Sequence, residues 1–508
     1  MEKVVKQILA ANVYDVAIET PLQQAGALSR RLDNTVLLKR EDLQPVFSFK
    51  LRGAYNKMAG LSPEAAARGV IAASAGNHAQ GVALAGNRLG IEAVIVMPVT
   101  TPAIKVNAVR NRGARVILHG DTYNDAASHA MGLVEEKGYT FVHAFDDPAV
   151  IAGQGTVALE MLRQHSGRLD AIFIPVGGGG LMAGIAAYVR YLRPDVKLIA
   201  VESEDSACLK LALERGRRAR LSQVGLFADG VAVNQVGREP FRILRHTVDE
   251  VVTVSTDEIC AAVKDIFDDT RAVTEPAGAM AVAGIKKAVR EKGWHDRVLA
   301  GVVTGANVNF DRLQHIAERA ELGESREAVL AVTIAETPGS FRHFSQVLGR
   351  RSITEFNYRF GSAMEAKIFV GVETGDSPGD REAVMQELRD KGFHVEDMSD
   401  NEAAKVHIRH MVGGRTASVT NECVYRFEFP ERPGALMQFL DALGEQWNIS
   451  MFHYRNHGAA YGRVLVGIQV PRGERRLFRE RLQQIGYPFY EETDNVAYHT
   501  FLAPEQTG

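Results

Sequence analysis

The sequence predicts an α/β protein built on an open parallel sheet and followed by two ferredoxin-like α+β units. Two observations predict it. Between residues 34 and 320, short apolar runs alternate with helix-length stretches, the pattern of βαβ units and of a parallel sheet covered on both faces. Beyond residue 326 the pattern changes and a stretch of text is repeated. At roughly 100–200 residues per domain, the 508 residues make three or four domains, or two large ones.

Glu2, Asp15 and Glu19 sit among Val4, Val5, Ile8 and Leu9, an amphipathic helix rather than a targeting peptide. Strand candidates follow at Val36–Leu38, Val70–Ala73, Ala93–Met97, Arg115–Leu118, Phe141–His143, Ala171–Val176, Leu198–Glu202 and Val298–Val303. Helical stretches lie between them at Ala79–Leu89, Ala103–Arg112, Tyr123–Lys137, Gly155–Gln164 and Leu181–Leu192. Ala171 to Val189 carries no charge and approaches bilayer-spanning length. Pro175, the glycines 177–180 and Gly184 make a strand, a turn and a buried helix the better reading.

In the repeat, Glu336-Thr-Pro338-Gly339-Ser-Phe is echoed by Glu431-Arg-Pro433-Gly434-Ala-Leu436, and Ile353 to Arg359 by Ile449 to Arg455, with Tyr358 answered by Tyr454. Each copy reads strand, Pro-Gly turn, helix, strand, strand, helix, strand, a ferredoxin-like order. Val412–Asn421, rich in Gly, Thr and Ser, reads as the linker. The helix start after each Pro-Gly turn suits a carboxylate or another anion. A duplicated small-ligand sensor is the favoured reading, and a pair of structural or oligomerising modules the alternative.

Hydrophobic residues make up 46% and charged residues 24%, with a net charge of −3, so no global basic field calls for nucleic acid. The basic run Arg215, Arg217, Arg218, Arg220 reads as a solvated turn. Cys208, Cys260 and Cys423 are scattered, which suggests neither a disulfide framework nor a zinc site and fits a reducing cytoplasm. His407 and His410 have the spacing of a helical metal pair but no acidic partner, and no metal is assigned.

Four motifs carry chemistry. Val176-Gly177-Gly178-Gly179-Gly180-Leu181 follows a strand and opens a helix, where backbone N–H groups and the helix dipole favour a phosphate. Gly178 to Ala183 also satisfies G-x-G-x-x-A, with Glu202 about 20 residues on, so this segment alone leaves a nicotinamide dehydrogenase open. The second motif is Ser48-Phe49-Lys50-Leu51-Arg52-Gly53. Burial between Phe49 and Leu51 lowers a lysine pKa, and a neutral amine forms a Schiff base with an aldehyde. The third is Ser74-Ala75-Gly76-Asn77-His78-Ala79-Gln80-Gly81, a strand end suited to a carboxylate, with His78 read as a structural donor. The fourth, Thr304-Gly305-Ala306-Asn307, offers a neutral hydroxyl after a buried strand.

In this order the four motifs resemble those of the fold-type II pyridoxal-phosphate enzymes, the family of the tryptophan synthase β chain. With the double repeat, the chain is similar over nearly its whole length to the biosynthetic threonine dehydratases, or threonine ammonia-lyases. The resemblance implies a catalytic domain over residues 1–322 with two open-sheet lobes, the small one roughly 54–150. It implies ACT-like regulatory domains over 327–411 and 422–508. The cofactor would be pyridoxal 5'-phosphate, with Lys50 as Schiff-base lysine beside Phe49. Asn77 would meet the 3-oxygen, Gly177, Gly178, Gly179, Gly180 and Leu181 the phosphate, and Thr304 the pyridine nitrogen. Ser74, Ala75, Gly76 and Asn77 would hold the substrate carboxylate. Related enzymes have Ser at the position of Thr304, and both residues keep a hydroxyl. Arg271 to Gly278 also matches a family segment, without an assigned role.

The implied reaction deaminates L-threonine, or L-serine, to a 2-oxo acid and ammonia, with freed Lys50 as general base. For threonine this is the first committed step of isoleucine biosynthesis. The resemblance further implies inhibition by isoleucine, opposition by valine, a cytoplasmic homotetramer, and neither nucleic-acid nor membrane partners. Gly339, Tyr358, Gly434, Leu436 and Tyr454 are the candidates for the effector region, although the tyrosines equally suit a core. The alternatives are a serine-preferring dehydratase or other fold-type II enzyme, and an amino-acid sensor that no longer turns over.

Overall fold

The structure is a computed structural model that describes all residues except 226, 311, 324–326, 336, 350, 360–364, 375–378, 402–403, 405–418, 431–434, 445, 456–460, 486, 496–497, 500–501 and 503–508. The chain divides into two compact units, Met1–Gly323 and Glu324–Gly508.

The first unit holds strands β1 (Leu22–Gln24), β2 (Thr35–Arg40), β3 (Val70–Ala73), β4 (Ala93–Met97), β5 (Arg115–Leu118), β6 (Thr140–Phe141), β7 (Ala171–Pro175), β8 (Lys197–Ser203), β9 (Glu250–Val254) and β10 (Val298–Val303). They form a six-stranded sheet in the order β1-β2-β10-β7-β8-β9 and a four-stranded sheet in the order β5-β4-β3-β6. All pairs are parallel except β1 with β2. Strands β3, β4 and β7 are buried at every residue, which is why they read as unbroken apolar runs. The uncharged stretch from Ala171 resolves into β7, the glycine turn and the helix Gly180–Leu192.

Several predicted boundaries shift by a residue or more, and two of the shifts have a clear local reason. β6 ends at Phe141 because His143 Nδ1 accepts the N–H groups of Phe145 (3.2 Å) and Asp146 (2.9 Å), turning the chain out of the sheet. The next helix runs Pro148–Gln164 rather than from Gly155, because the Asp147 carboxylate caps the N–H groups of Ala149 and Val150 and Pro148 occupies the first turn. Strand β9 and the helices Thr256–Thr270 and Pro276–Lys292 complete the large lobe.

The second unit holds β11 (Glu327–Ala335), β12 (Ile353–Arg359), β13 (Glu365–Glu373), β14 (His394–Asp397), β15 (Glu422–Pro430), β16 (Asn448–Arg455), β17 (Tyr461–Gln469) and β18 (Phe489–Glu491). They make one antiparallel sheet in the order β14-β11-β13-β12-β16-β17-β15-β18. Each repeat contributes four consecutive positions in the same ferredoxin-like order. The halves join edge to edge through β12 and β16, where Phe356 lies opposite Tyr454 and Tyr358 opposite Phe452. A single aromatic-rich core, including Phe341, Phe427 and Phe439, serves both. The halves also share a β-bulge, between Ile353 and Glu355 and between Ile449 and Met451. The hydroxyl on each bulge, of Thr354 or Ser450, donates to a carboxylate that opens the first strand of its half, Glu327 or Glu422.

Candidate active site

Lys50 is the first residue of the helix Lys50–Ala59. Its Nζ donates to the Ala144 carbonyl at 3.2 Å and lies 5.1 Å from the centre of the Phe49 ring. The preceding loop is tied to the end of β10: Ser48 bridges Gly305, Phe49 N–H donates to Thr304 O (3.2 Å), and Ala306 N–H donates to Phe47 O (2.9 Å). Phe47 holds φ at 55°, an unusual conformation for a bulky side chain and one found where function fixes the backbone. Burial lowers the Lys50 pKa to about 8, against the pull of Glu275 in the other direction. About one amine in ten is therefore neutral near pH 7, far more than for an ordinary lysine.

Asn77 opens the helix Asn77–Leu89 and is fixed from two sides. Asn307 Nδ2 donates to Asn77 Oδ1, and Asn77 Nδ2 donates to Glu275 Oε1, both at 2.7 Å. Glu275 is buried, and burial followed by the charge of Asp229 raises its pKa to about 7. The Thr304 hydroxyl donates to Ala277 O at 3.2 Å. In the third motif, Ser74 Oγ accepts the Gly76 N–H at 3.3 Å. A Cβ on Gly76 would have no heavy atom within 4 Å, so this turn faces open space. His78 donates through Nε2 to Val142 O at 2.8 Å, and burial, then Lys50, push its pKa down to about 3. Its imidazole is neutral and serves as a structural donor.

Gly179 adopts φ 90° just ahead of the helix Gly180–Leu192. A Cβ on Gly178 would fall 2.2 Å from the Phe145 ring, and one on Gly177 2.9 Å from Val231 Cα. Packing therefore demands glycine here as firmly as ligand access does. The N–H groups of Gly177, Gly178, Gly179, Gly180 and Leu181 make no hydrogen bond among the described residues. A run of free donors at a helix start fits a phosphate. The buried Ser48 hydroxyl likewise has no partner among the described residues. Phe145, seated on the glycine turn, adjoins Ala144, whose carbonyl receives Lys50, so the amine and the anion cradle share one wall. Glu202 takes no part: its carboxylate accepts the Leu209 and Lys210 N–H groups at 2.8 Å, capping a helix, which leaves the dinucleotide pattern without its ribose acid.

Residues 13–305 match the family described as pyridoxal-phosphate dependent enzyme. Residues 318–408 and 413–502 match the C-terminal regulatory domain of threonine dehydratase. The chain belongs to the threonine dehydratase family of pyridoxal-phosphate-dependent enzymes. It is 56% identical over 501 residues to the biosynthetic L-threonine dehydratase of Burkholderia multivorans, covering 98% of this chain and 99% of that one. The Escherichia coli biosynthetic L-threonine dehydratase is 54% identical over 498 residues, covering 98% and 96%. Among solved structures, the processed form of threonine deaminase isoform 2 from Solanum lycopersicum is similar at a TM-score of 0.62. It is 48% identical and covers 63% of this chain and 93% of that one.

For a threonine dehydratase, the residues that sequence reasoning passed over are Glu275, Asn307 and Phe145. Glu275 lies in the matched segment Arg271–Gly278, but only its hydrogen bond to Asn77 gives it a place. Of the effector candidates, Gly339 adopts φ 90° at the start of the helix Ser340–Leu348. Tyr358 and Tyr454 are buried in the aromatic core, with Tyr358 edge-on to Phe341 at 4.6 Å. Gly434 and the side chain of Leu436 lie outside the described residues, as do His407, His410 and most of the linker. Among the described residues, no group of three or more His, Cys, Asp or Glu is arranged to hold a metal, and no helix is long and apolar enough to cross a membrane.

Proposed function

We propose that this enzyme deaminates L-threonine to 2-oxobutanoate and ammonia, with Lys50 as Schiff-base lysine and general base. The observation that carries the reading is the shared wall: the Lys50 amine bonds to Ala144 O while Phe145 shapes the Gly177–Leu181 donors. Pyridoxal phosphate, when bound, supplies the aldehyde for the substrate amine and the electron sink for the charge left on deprotonation.

The chain's own groups do the rest. Gly177 to Leu181 hold the phosphate with N–H groups that owe nothing to other partners. Asn77 presents its amide to the 3-oxygen, oriented by Asn307 and Glu275. Thr304 would meet the pyridine nitrogen with a neutral hydroxyl, a weaker partner for a protonated nitrogen than a carboxylate. Ser74, Ala75, Gly76 and Asn77 take the substrate carboxylate at the open end of the third motif. Lys50, kept partly neutral by burial, accepts the α-proton.

The catalytic domain spans 1–322 and the ACT-like domains 327–411 and 422–508. The repeats bind isoleucine as inhibitor and valine as opposing effector, through the region of Gly339, Tyr358, Gly434, Leu436 and Tyr454. Two sites with opposed preferences for two global states give such control. The working form is a cytoplasmic homotetramer. The test is 2-oxo acid release from L-threonine, with L-serine alongside, titrated with isoleucine. Suppression by isoleucine supports both halves; indifference removes the account of the repeats; no release removes the proposed reaction.

A further inference from the structure

Asp229 opens the short turn Asp229–Val231, which touches both ends of the site. Val231 packs on Gly177, where a glycine Cβ would come within 2.9 Å of Val231 Cα. Gly230 packs on the other end, its Cβ position 3.5 Å from Glu275 Oε1 and 2.9 Å from the Ala277 methyl. The turn is tied to the opposite lobe. Lys105, on the helix Ala103–Arg110 of the small lobe, donates its Nζ proton to Asp229 Oδ2 at 2.6 Å. Arg312 approaches Asp229 less closely, at 3.8 Å, while donating to Phe227 O at 2.6 Å.

We infer that Lys105 and Asp229 are positioning residues for the reaction: their ion pair joins the two lobes across the site and, through the Asp229–Val231 turn, seats the carboxyl that holds Asn77. The two side chains are 23% and 38% exposed, a setting in which an ion pair adds little to stability. Its effect is on neighbouring charges. The groups that face Glu275 are Asp229 from the turn, Lys105 from the small lobe and Lys50 from its own helix, with Arg312 behind Asp229. Asp229 pushes the Glu275 pKa up and Lys105 pulls it down. Glu275 in turn raises that of Lys50. The pair therefore acts on the base through one intermediate carboxyl.

The two partners have opposite signs, and that separates this role from a mechanical clasp. A clasp fails in the same way whichever side chain is removed. A charge relay shifts one way without Lys105 and the other way without Asp229. The inference rests on the dehydratase reading of the site, so two measurements are made on the holoenzyme: kcat/KM for L-threonine against pH, and the visible absorbance of the bound cofactor against pH. The variants are Lys105→Met, Asp229→Asn and the conservative Lys105→Arg. Lys105→Met should move the Glu275-dependent limb to higher pH and Asp229→Asn to lower pH, each by about half to one pH unit. Lys105→Arg should superimpose on the parent. Shifts in the same direction, or no shift in either measurement, overturn the inference. If the parent releases no 2-oxo acid, the reaction assignment fails, while the absorbance titrations still decide the role of the pair.

Discussion

Arg52 grips Glu41 with two parallel hydrogen bonds, Nε to Oε2 and Nη2 to Oε1, both 2.8 Å long. The same guanidinium donates to both oxygens of Glu160, at 2.6 and 2.9 Å, and Lys39 closes the cluster on Glu160 Oε2 at 2.6 Å. All four side chains are fully buried. Two cations and two anions thus balance under the helix that begins at Lys50. Replacing Arg52 with Met should cost about 3–5 kcal/mol, the range for leaving a buried charge unpaired. Lys at this position keeps the charge but not the fork, so Arg52→Lys should fall between the two. Urea unfolding of the three proteins checks the order.

Gly178→Ala tests the glycine turn. The added methyl would fall 2.2 Å from the Phe145 ring, so either the ring or the turn must move. Overpacking of this kind costs about 1–3 kcal/mol. The expected outcome is a fold that survives, with cofactor affinity reduced at least tenfold by an order-of-magnitude reckoning from lost phosphate donors. Fluorescence titration of apoenzyme with cofactor measures it.

The Lys50 pKa near 8 has a direct readout. Only the neutral amine adds to an aldehyde. Uptake of pyridoxal phosphate by apoenzyme should therefore quicken as pH rises towards about 8 and level off above it. Glu275→Gln removes the charge that raises the Lys50 pKa, so the midpoint should move to lower pH. Stopped-flow absorbance across a pH series gives both midpoints.

Thr304→Asp would place a carboxylate where the neutral hydroxyl stands, favouring a protonated ring nitrogen and a stronger electron sink. The share of turnovers diverted to transamination should rise, while Thr304→Ser should leave partitioning unchanged. Product analysis of keto acid against aminated cofactor decides the point, and an unaltered ratio in Thr304→Asp refutes the idea.

Tyr454→Phe removes one hydroxyl and keeps the ring in the core it shares with Phe452. If that hydroxyl takes part in effector binding, the isoleucine concentration for half inhibition should rise about fivefold or more, within the usual range of allosteric coupling. The uninhibited rate should stay unchanged. An unchanged isoleucine response assigns Tyr454 to the core alone.

The parallel strands were legible because burial on both faces leaves a plain run of apolar residues, as in Ala93–Met97. The repeats were legible because their turns and tyrosines recur in step. Candidate residues stood out where a motif comes soon after a strand, as at Asn77 and the glycines, and where a lysine lies between apolar neighbours, as at Lys50. What stayed hidden depends on distant partners. Glu275 meets Asn77 across 198 positions of sequence, and Lys105 meets Asp229 across 124. Neither stands out locally, since a carboxylate before a proline and a lysine on a helix are both commonplace. The glycine tract was legible as a turn, but its need for space came from Phe145 and Val231, which no local pattern connects to it.

The edge-to-edge pairing of β12 with β16 bears on how this chain can be shortened. Cut after the first copy, it would end with β12 as a naked border, its row of amide and carbonyl groups unanswered. Such a border seeks a stranger's strand. A chain trimmed to one copy should therefore recruit the same border from a sister chain and rebuild the lost neighbour between molecules. Halving the duplication would not yield a simpler enzyme with one switch; it would change how many chains travel together.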